Sequence, residues 1–273
     1  MALAAILVAA SAASAARAGA PDDSYRVLPC RPTVSCTADL VPPGALEVEA
    51  GYLARRAPPR GFVHSEPILL KLTLAEWVQA QVGGNGHVVT SGDVARSLRY
   101  LDDISVGPKF HFVDQAGWWP SLAASASLNI PSWDRQTDFP FAYDASFWGY
   151  ASKDLAFVHF DLNGGLNVWE FDLRPSYQKF VTLASSMPIA GDFGAMLEGY
   201  YFTNAGAIAP RDGGTLMAVS YAPRPWLMFD AGFDIGWFPS TRSFSTFAGL
   251  TVIPYDFWDT ESERRKRAQR TAR

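Results

Sequence analysis

The chain has 273 residues, 48% hydrophobic and 14% aromatic, with a formal net charge of −4. Its mean hydropathy is +0.00, so apolar and polar residues are finely interleaved; past the N-terminus the longest apolar runs are fragments such as Ile68–Leu70 and Trp226–Phe229, which excludes a membrane-spanning helix there. Mild acidity gives no electrostatic case for nucleic acid as a partner, and 9 Trp and 18 Phe with little amphipathic-helix texture favour strands.

In chain order, Met1 to Ala20 is an Ala/Leu/Val-rich run ending in small residues, with A-x-A-like sites at Ala16-Arg17-Ala18 and Ala18-Gly19-Ala20. It reads as a secretory signal over residues 1–18, although no Lys or Arg precedes the apolar run. Residues 19–44 follow as a Pro-rich segment expected in the periplasm, either staying there or folding inward as a plug. Within it Cys30 and Cys36 sit close together in an exported chain, which points to a local disulfide, with free thiols as the alternative. The spacing lacks a second ligand pair for zinc, and Pro29 argues against a lipidated cysteine.

Polarity then alternates with period two from residue 45 to 254, the mark of strands whose faces meet different environments. Leu46, Val48, Ala50 and Tyr52 oppose Glu47, Glu49 and Arg55. Ile68, Leu70 and Leu72 oppose Lys71, and Val78, Ala80 and Val82 oppose Gln79 and Gln81. Ile104, Val106, Pro108, Phe110 and Phe112 oppose Lys109 and His111, with Pro108 awkward because it cannot donate to a ladder. Leu122 to Ile130 alternates with Ala123 to Asn129. The stretch 145–153 is ambiguous, since Phe147 and Trp148 occupy both faces. Val158, Phe160 and Leu162 oppose His159, Asp161 and Asn163. Segments 180–187, 193–202 and 215–221 are less regular, with Glu198 requiring a wet face. Phe229, Ala231, Phe233 and Ile235 oppose Asp230 and Asp234, and Thr246 to Val252 alternates with Ser245 to Thr251.

Connections alternate between short (75–77, 114–119, 154–156, 188–192, 222–225) and mostly long (56–66, 84–101, 132–144, 169–176, 203–214), with 239–242 a short exception. About twelve such strands, with tight turns and both termini on one rim, predict an all-β chain: a closed, up-and-down antiparallel transmembrane barrel. Hydrocarbon leaves no backbone group free to go unpaired, so strands can span it only as a ring. Trp77, Trp118, Trp119 and Trp226 near the short turns, and Trp148, Trp169 and Trp237 nearer the loops, are expected as interfacial girdles.

Three segments resemble a known family: Asp103–Phe112, Pro120–Pro131 and Phe229–Gly236 are similar to the D-x-S-x-G-x-K-Y, P-x-L-A-x7-P and L-D-A-G-x-x-x-G stretches of the outer-membrane transporter family associated with the meta-pathway of phenol degradation. The resemblance covers most of the chain after Leu46. It implies an outer-membrane location and a role in passing small molecules, aromatic ones among the candidates. The sequence departs from usual barrel endings: a charged tail, residues 255–273, expected in the periplasm, replaces a terminal aromatic assembly signal, leaving Phe257 or Trp258 to present one internally to the barrel-assembly machinery.

Catalytic signatures are absent from the sequence. His64, His87, His111 and His159 are dispersed, and no nucleophile elbow, zinc-protease motif or phosphate loop occurs. A lipid hydrolase using a Ser/His pair on the lipid side is the enzyme alternative, opposed by the polar-face positions of His111 and His159. Neither cofactor nor metal is expected. The expected function is a passive channel for small solutes in the outer membrane of a Gram-negative cell, with outer-membrane lipid as its surroundings. The candidate lumen or selectivity residues are Glu47, Glu49, Arg55, Lys71, Lys109, His111, His159, Asp161, Glu198, Asp230 and Asp234. The alternative is a structural or ligand-binding barrel with a blocked lumen, the same charges bracing it from within.

Overall fold

A computed structural model describes residues 25–57, 61–92, 99–132, 143–170, 174–206, 209–238 and 244–258. The expected signal peptide and the tail beyond residue 258 lie outside these, as does most of the 132–144 loop. After the strand-free segment 25–44, the described chain is built from strands: β1 (Ala45–Ala57), β2 (Gly61–Ser65), β3 (Ile68–Ala75), β4 (Val78–Gly84), β5 (His87–Gly92), β6 (Arg99–Leu101), β7 (Ile104–Val113), β8 (Ser121–Ile130), β9 (Asp144–Leu155), β10 (Val158–Trp169), β11 (Ser176–Ala190), β12 (Phe193–Phe202), β13 (Asp212–Arg224), β14 (Leu227–Gly236) and β15 (Phe244–Asp256).

Twelve strands form a closed antiparallel ring in the order β1-β3-β4-β7-β8-β9-β10-β11-β12-β13-β14-β15, and β15 pairs back onto β1. That seam is long, running from Ala45↔Asp256 to Arg55↔Ser245. Closure removes every sheet edge within the belt, as an apolar solvent demands.

The remaining strands correct the expectation that 56–66 and 84–101 are wholly loop. β2 pairs with the upper half of β1, β5 with β2, and β6 with β5. Each continues a neighbouring ring strand past a short break: β2 into β3, β4 into β5, β6 into β7. The breaks lie side by side, bridged by Glu66 N donating to Asn85 O at 2.9 Å and Asp102 N donating to Gly86 O at 2.9 Å. The wall therefore rises higher on this side than its ring strands alone would carry it.

Burial is inverted relative to a water-soluble domain. Leu162, Leu183, Val219 and Phe229 are exposed on the outer face, whereas Glu47, Glu49, Thr73, Glu198 and Thr251 are 0% exposed inside. Apolar side chains can stay outside only if the outer solvent is itself apolar. The alternation also resolves segment 145–153: Phe147 points outward at 51% exposure, and Trp148 turns inward against Phe180, ring centroids 4.1 Å apart. Trp148 is thus a lumen residue, which corrects its expected place in a girdle. Trp77, Trp118 and Trp119 are strongly exposed at the short-turn rim and Trp237 at the other. Trp226 instead packs against a buried cluster.

Candidate functional site: a lumen occupied by the N-terminal segment

Residues 25–44 lie inside the ring. The segment enters at the short-turn rim, where Val27 N donates to Pro225 O at 2.9 Å and the Tyr25 hydroxyl to Asp256 at 2.6 Å. It climbs to a tip at residues 31–35 and returns to Gly44, whose N–H meets Thr73 O at 2.8 Å. Both stems are sealed by a small apolar cluster of Tyr25, Val27, Val41, Ala45, Met228 and Ile253. The neck of the tip is closed by the Cys30–Cys36 disulfide, with Cα atoms 4.3 Å apart, as the spacing suggests.

A hairpin without a partner strand must satisfy its peptide groups elsewhere, and the inward side chains supply them. Glu47 accepts from Leu28 N at 3.0 Å. Glu49 accepts from Cys30 N and Arg31 N at 2.9 and 2.8 Å. Glu198 accepts from Val34 N and Ser35 N, both at 2.7 Å, and from the Ser35 hydroxyl at 2.6 Å. Asn163 pairs with both peptide groups of Cys36, and Ser152 receives Ala38 N at 2.6 Å. Lys109 donates to the carbonyls of Thr37 and Asp39.

Charge is partly offset within this group, one lysine facing two carboxylates. Lys71, 4% exposed, sits 2.5 Å from Glu47 and 2.6 Å from Glu49 and donates to Leu28 O at 2.7 Å. Buried carboxylates persist when a cation and several donors surround them. Of the remaining sequence candidates, His111 lies 3.1 Å from Ala38 O and 2.9 Å from Asp114. His159 bridges Asp154 and Asp161 at 2.7 and 3.1 Å. Asp230 faces Arg31 at 3.5 Å. Arg55 and Asp234 stand apart from these, above the tip, in the wall of a cavity of about 380 Å³ whose floor is Arg31 to Val34.

Several of these partners escaped sequence reasoning. Ser152, Asn163 and Thr182 occupy inward positions in the alternation but carry no charge to draw attention. Arg31 was invisible because its seat is made by absent side chains: a Cβ on Gly51 would lie 2.2 Å from its guanidinium carbon, and one on Gly249 2.6 Å from its Nε. The guanidinium thus lies over the β1–β15 seam. Gly165 plays the same part for an aromatic row. A Cβ there would come 2.7 Å from the Phe180 ring, and Trp148, Phe180 and Phe202 follow one another along the inner wall, with centroids 4.1 and 5.3 Å apart.

On the outer wall, His64, sequence-placed in a loop, lies on β2 between Tyr52 and Ser91, 2.6 Å from the Tyr52 hydroxyl and 3.3 Å from the Ser91 hydroxyl. Among the described residues no group of three or more His, Cys, Asp or Glu could hold a metal ion.

Neither a family model nor a curated protein sequence matches the chain. Solved structures do. An outer-membrane channel from Pseudomonas putida F1 superposes with a TM-score of 0.56 at 12% identity, covering 79% of this chain and 97% of that one. The NanC porin superposes with a TM-score of 0.50 at 10% identity, covering 76% and 99%. The fold is that of the outer-membrane channel barrels. At such identity the likeness extends to the ring and its alternating faces, not to individual residues.

Proposed function

We propose that the chain is a passive outer-membrane channel for small solutes, narrowed on its short-turn, periplasmic half by its own N-terminal hairpin. The observation that carries this reading is the division of the lumen. Below the tip, inward polar groups are engaged by hairpin peptide groups; above it, a cavity of about 380 Å³ holds Arg55, Tyr200, Asp212 and Asp234. A purely structural barrel would need no such vestibule, and an open pore would need no buried Lys71–Glu47–Glu49 group to hold a peptide.

Phe202, which lines the cavity and is backed in the wall by Phe180 and Trp148, favours solutes with a flat or ring-shaped face, which can stack against it. This agrees with the aromatic solutes implied by the resemblance to the phenol-pathway transporters. Diffusion through the barrel needs no cofactor and no covalent step.

A second reading, a closed ligand-binding barrel, is favoured by the depth and number of the hairpin contacts. Swelling of liposomes carrying the protein separates the two. Small ring-bearing solutes such as benzyl alcohol are expected to drive swelling well above that of protein-free liposomes; no solute-dependent swelling overturns the channel reading in favour of the closed barrel.

A further inference from the structure

The charges of the vestibule are unequal in what they have left to offer. The Asp234 carboxylate already takes the Tyr200 hydroxyl at 3.0 and 3.1 Å, and Asp212 caps Gly213 N at 2.8 Å. The cations are less committed. Arg55 lines the cavity from β1 and faces Asp234 and Tyr200 through charge alone, with no hydrogen bond or ion pair among the described residues. Arg31, on the floor, reaches Asp230 only at 3.5 Å and Ala248 O at 3.3 Å, and its buried Nε has no partner among the described residues. The cavity the two arginines share is also lined by the apolar side chains of Leu53, Phe202, Leu216 and Phe247.

The geometry points to a binding site for a small organic carboxylate with an apolar or ring-shaped body, its carboxylate on Arg55 and its body reaching down toward Arg31 against Phe202, Phe247 and Leu216. Guanidinium is the group suited to this, since its planar fork meets two carboxylate oxygens at once. An amine of the same shape finds only carboxylates whose lone pairs are partly taken. The inference deepens the channel reading by naming a solute class, but the site stands on its own geometry.

Isothermal titration calorimetry of the folded full-length protein in detergent, with benzoate, benzylammonium and benzyl alcohol as matched probes, tests it. Benzoate is expected to bind at least tenfold more tightly than either of the others. Arg55→Gln is expected to weaken benzoate at least tenfold, and Arg55→Lys to retain part of the affinity. Because Arg55 makes no hydrogen bond or ion pair with the hairpin among the described residues, both variants are expected to keep the gel mobility shift of the folded barrel, which verifies that the loss is local. Equal affinity for benzylammonium, an unaltered Arg55→Gln variant, or no saturable benzoate binding would each overturn the site. Benzoate binding without liposome swelling removes the channel and keeps the site; swelling without benzoate binding does the reverse.

Discussion

Lys71 shows how much one side chain carries. It pairs with both Glu47 and Glu49 and also binds the hairpin carbonyl of Leu28, so Lys71→Met strands two buried carboxylates. Breaking a buried pair by removing one partner costs about 3–5 kcal/mol. Thermal unfolding in detergent, followed by loss of the gel mobility shift, is expected to move to markedly lower temperature. Glu198→Gln is milder: the amide oxygen still accepts from the hairpin, but the NH2 that replaces the other oxygen cannot, so one backbone bond is lost and the rest lose the charge that strengthens them. About 1–2 kcal/mol of tip anchoring is expected to be lost. Limited proteolysis of folded barrel then cuts within residues 31–37 faster than in the parent, with the strands still resistant. Legibility at this scale was uneven. Glu47, Glu49, Lys71, Lys109 and Glu198 stood out as charges on the wet side of an alternation. Arg31 and Asn163 did not, because what defines them is a glycine-made cradle across the barrel seam and a peptide from a distant segment, neither of which has a local signature.

The hairpin is the element that sequence reasoning left open between the periplasm and the lumen. Period-two patterning reports which side of a strand is wet but not what fills the wet side, and residues 25–44 have no pattern of their own. Their structure is borrowed from the wall. The disulfide then acts by shortening the free chain: closing so small a loop restricts the released segment by about 2 kcal/mol in chain-entropy terms. Cys30→Ser with Cys36→Ser is therefore expected to speed amide hydrogen exchange of residues 28–38, while exchange in β10 to β14 stays at the parent rate. The strands of the ring were readable almost entirely. What was missed lies outside the ring: β2, β5 and β6 are set off from β3, β4 and β7 by breaks at Glu66–Pro67, Asn85–Gly86 and Asp102–Asp103, where Pro, Gly and Asp look like loop boundaries although the wall continues across them.

At the scale of the molecule, the outer face carries Leu, Val and Phe and the interior carries ions, so the ring is stable only with lipid or detergent around it. Unboiled protein is expected to migrate differently from boiled protein in detergent gels, as closed barrels do. Inside that ring the short-turn half is a peptide-filled sleeve and the opposite half a vestibule, and the proposed passage depends on how far the sleeve is obstructed. Single-channel conductance in planar bilayers, comparing the full chain with a chain lacking residues 27–40 and each checked for folding by its mobility shift, measures this directly. A several-fold higher conductance for the shortened chain is the expected result; equal conductance of the two folded proteins would contradict a lumen occupied by its own N-terminal hairpin.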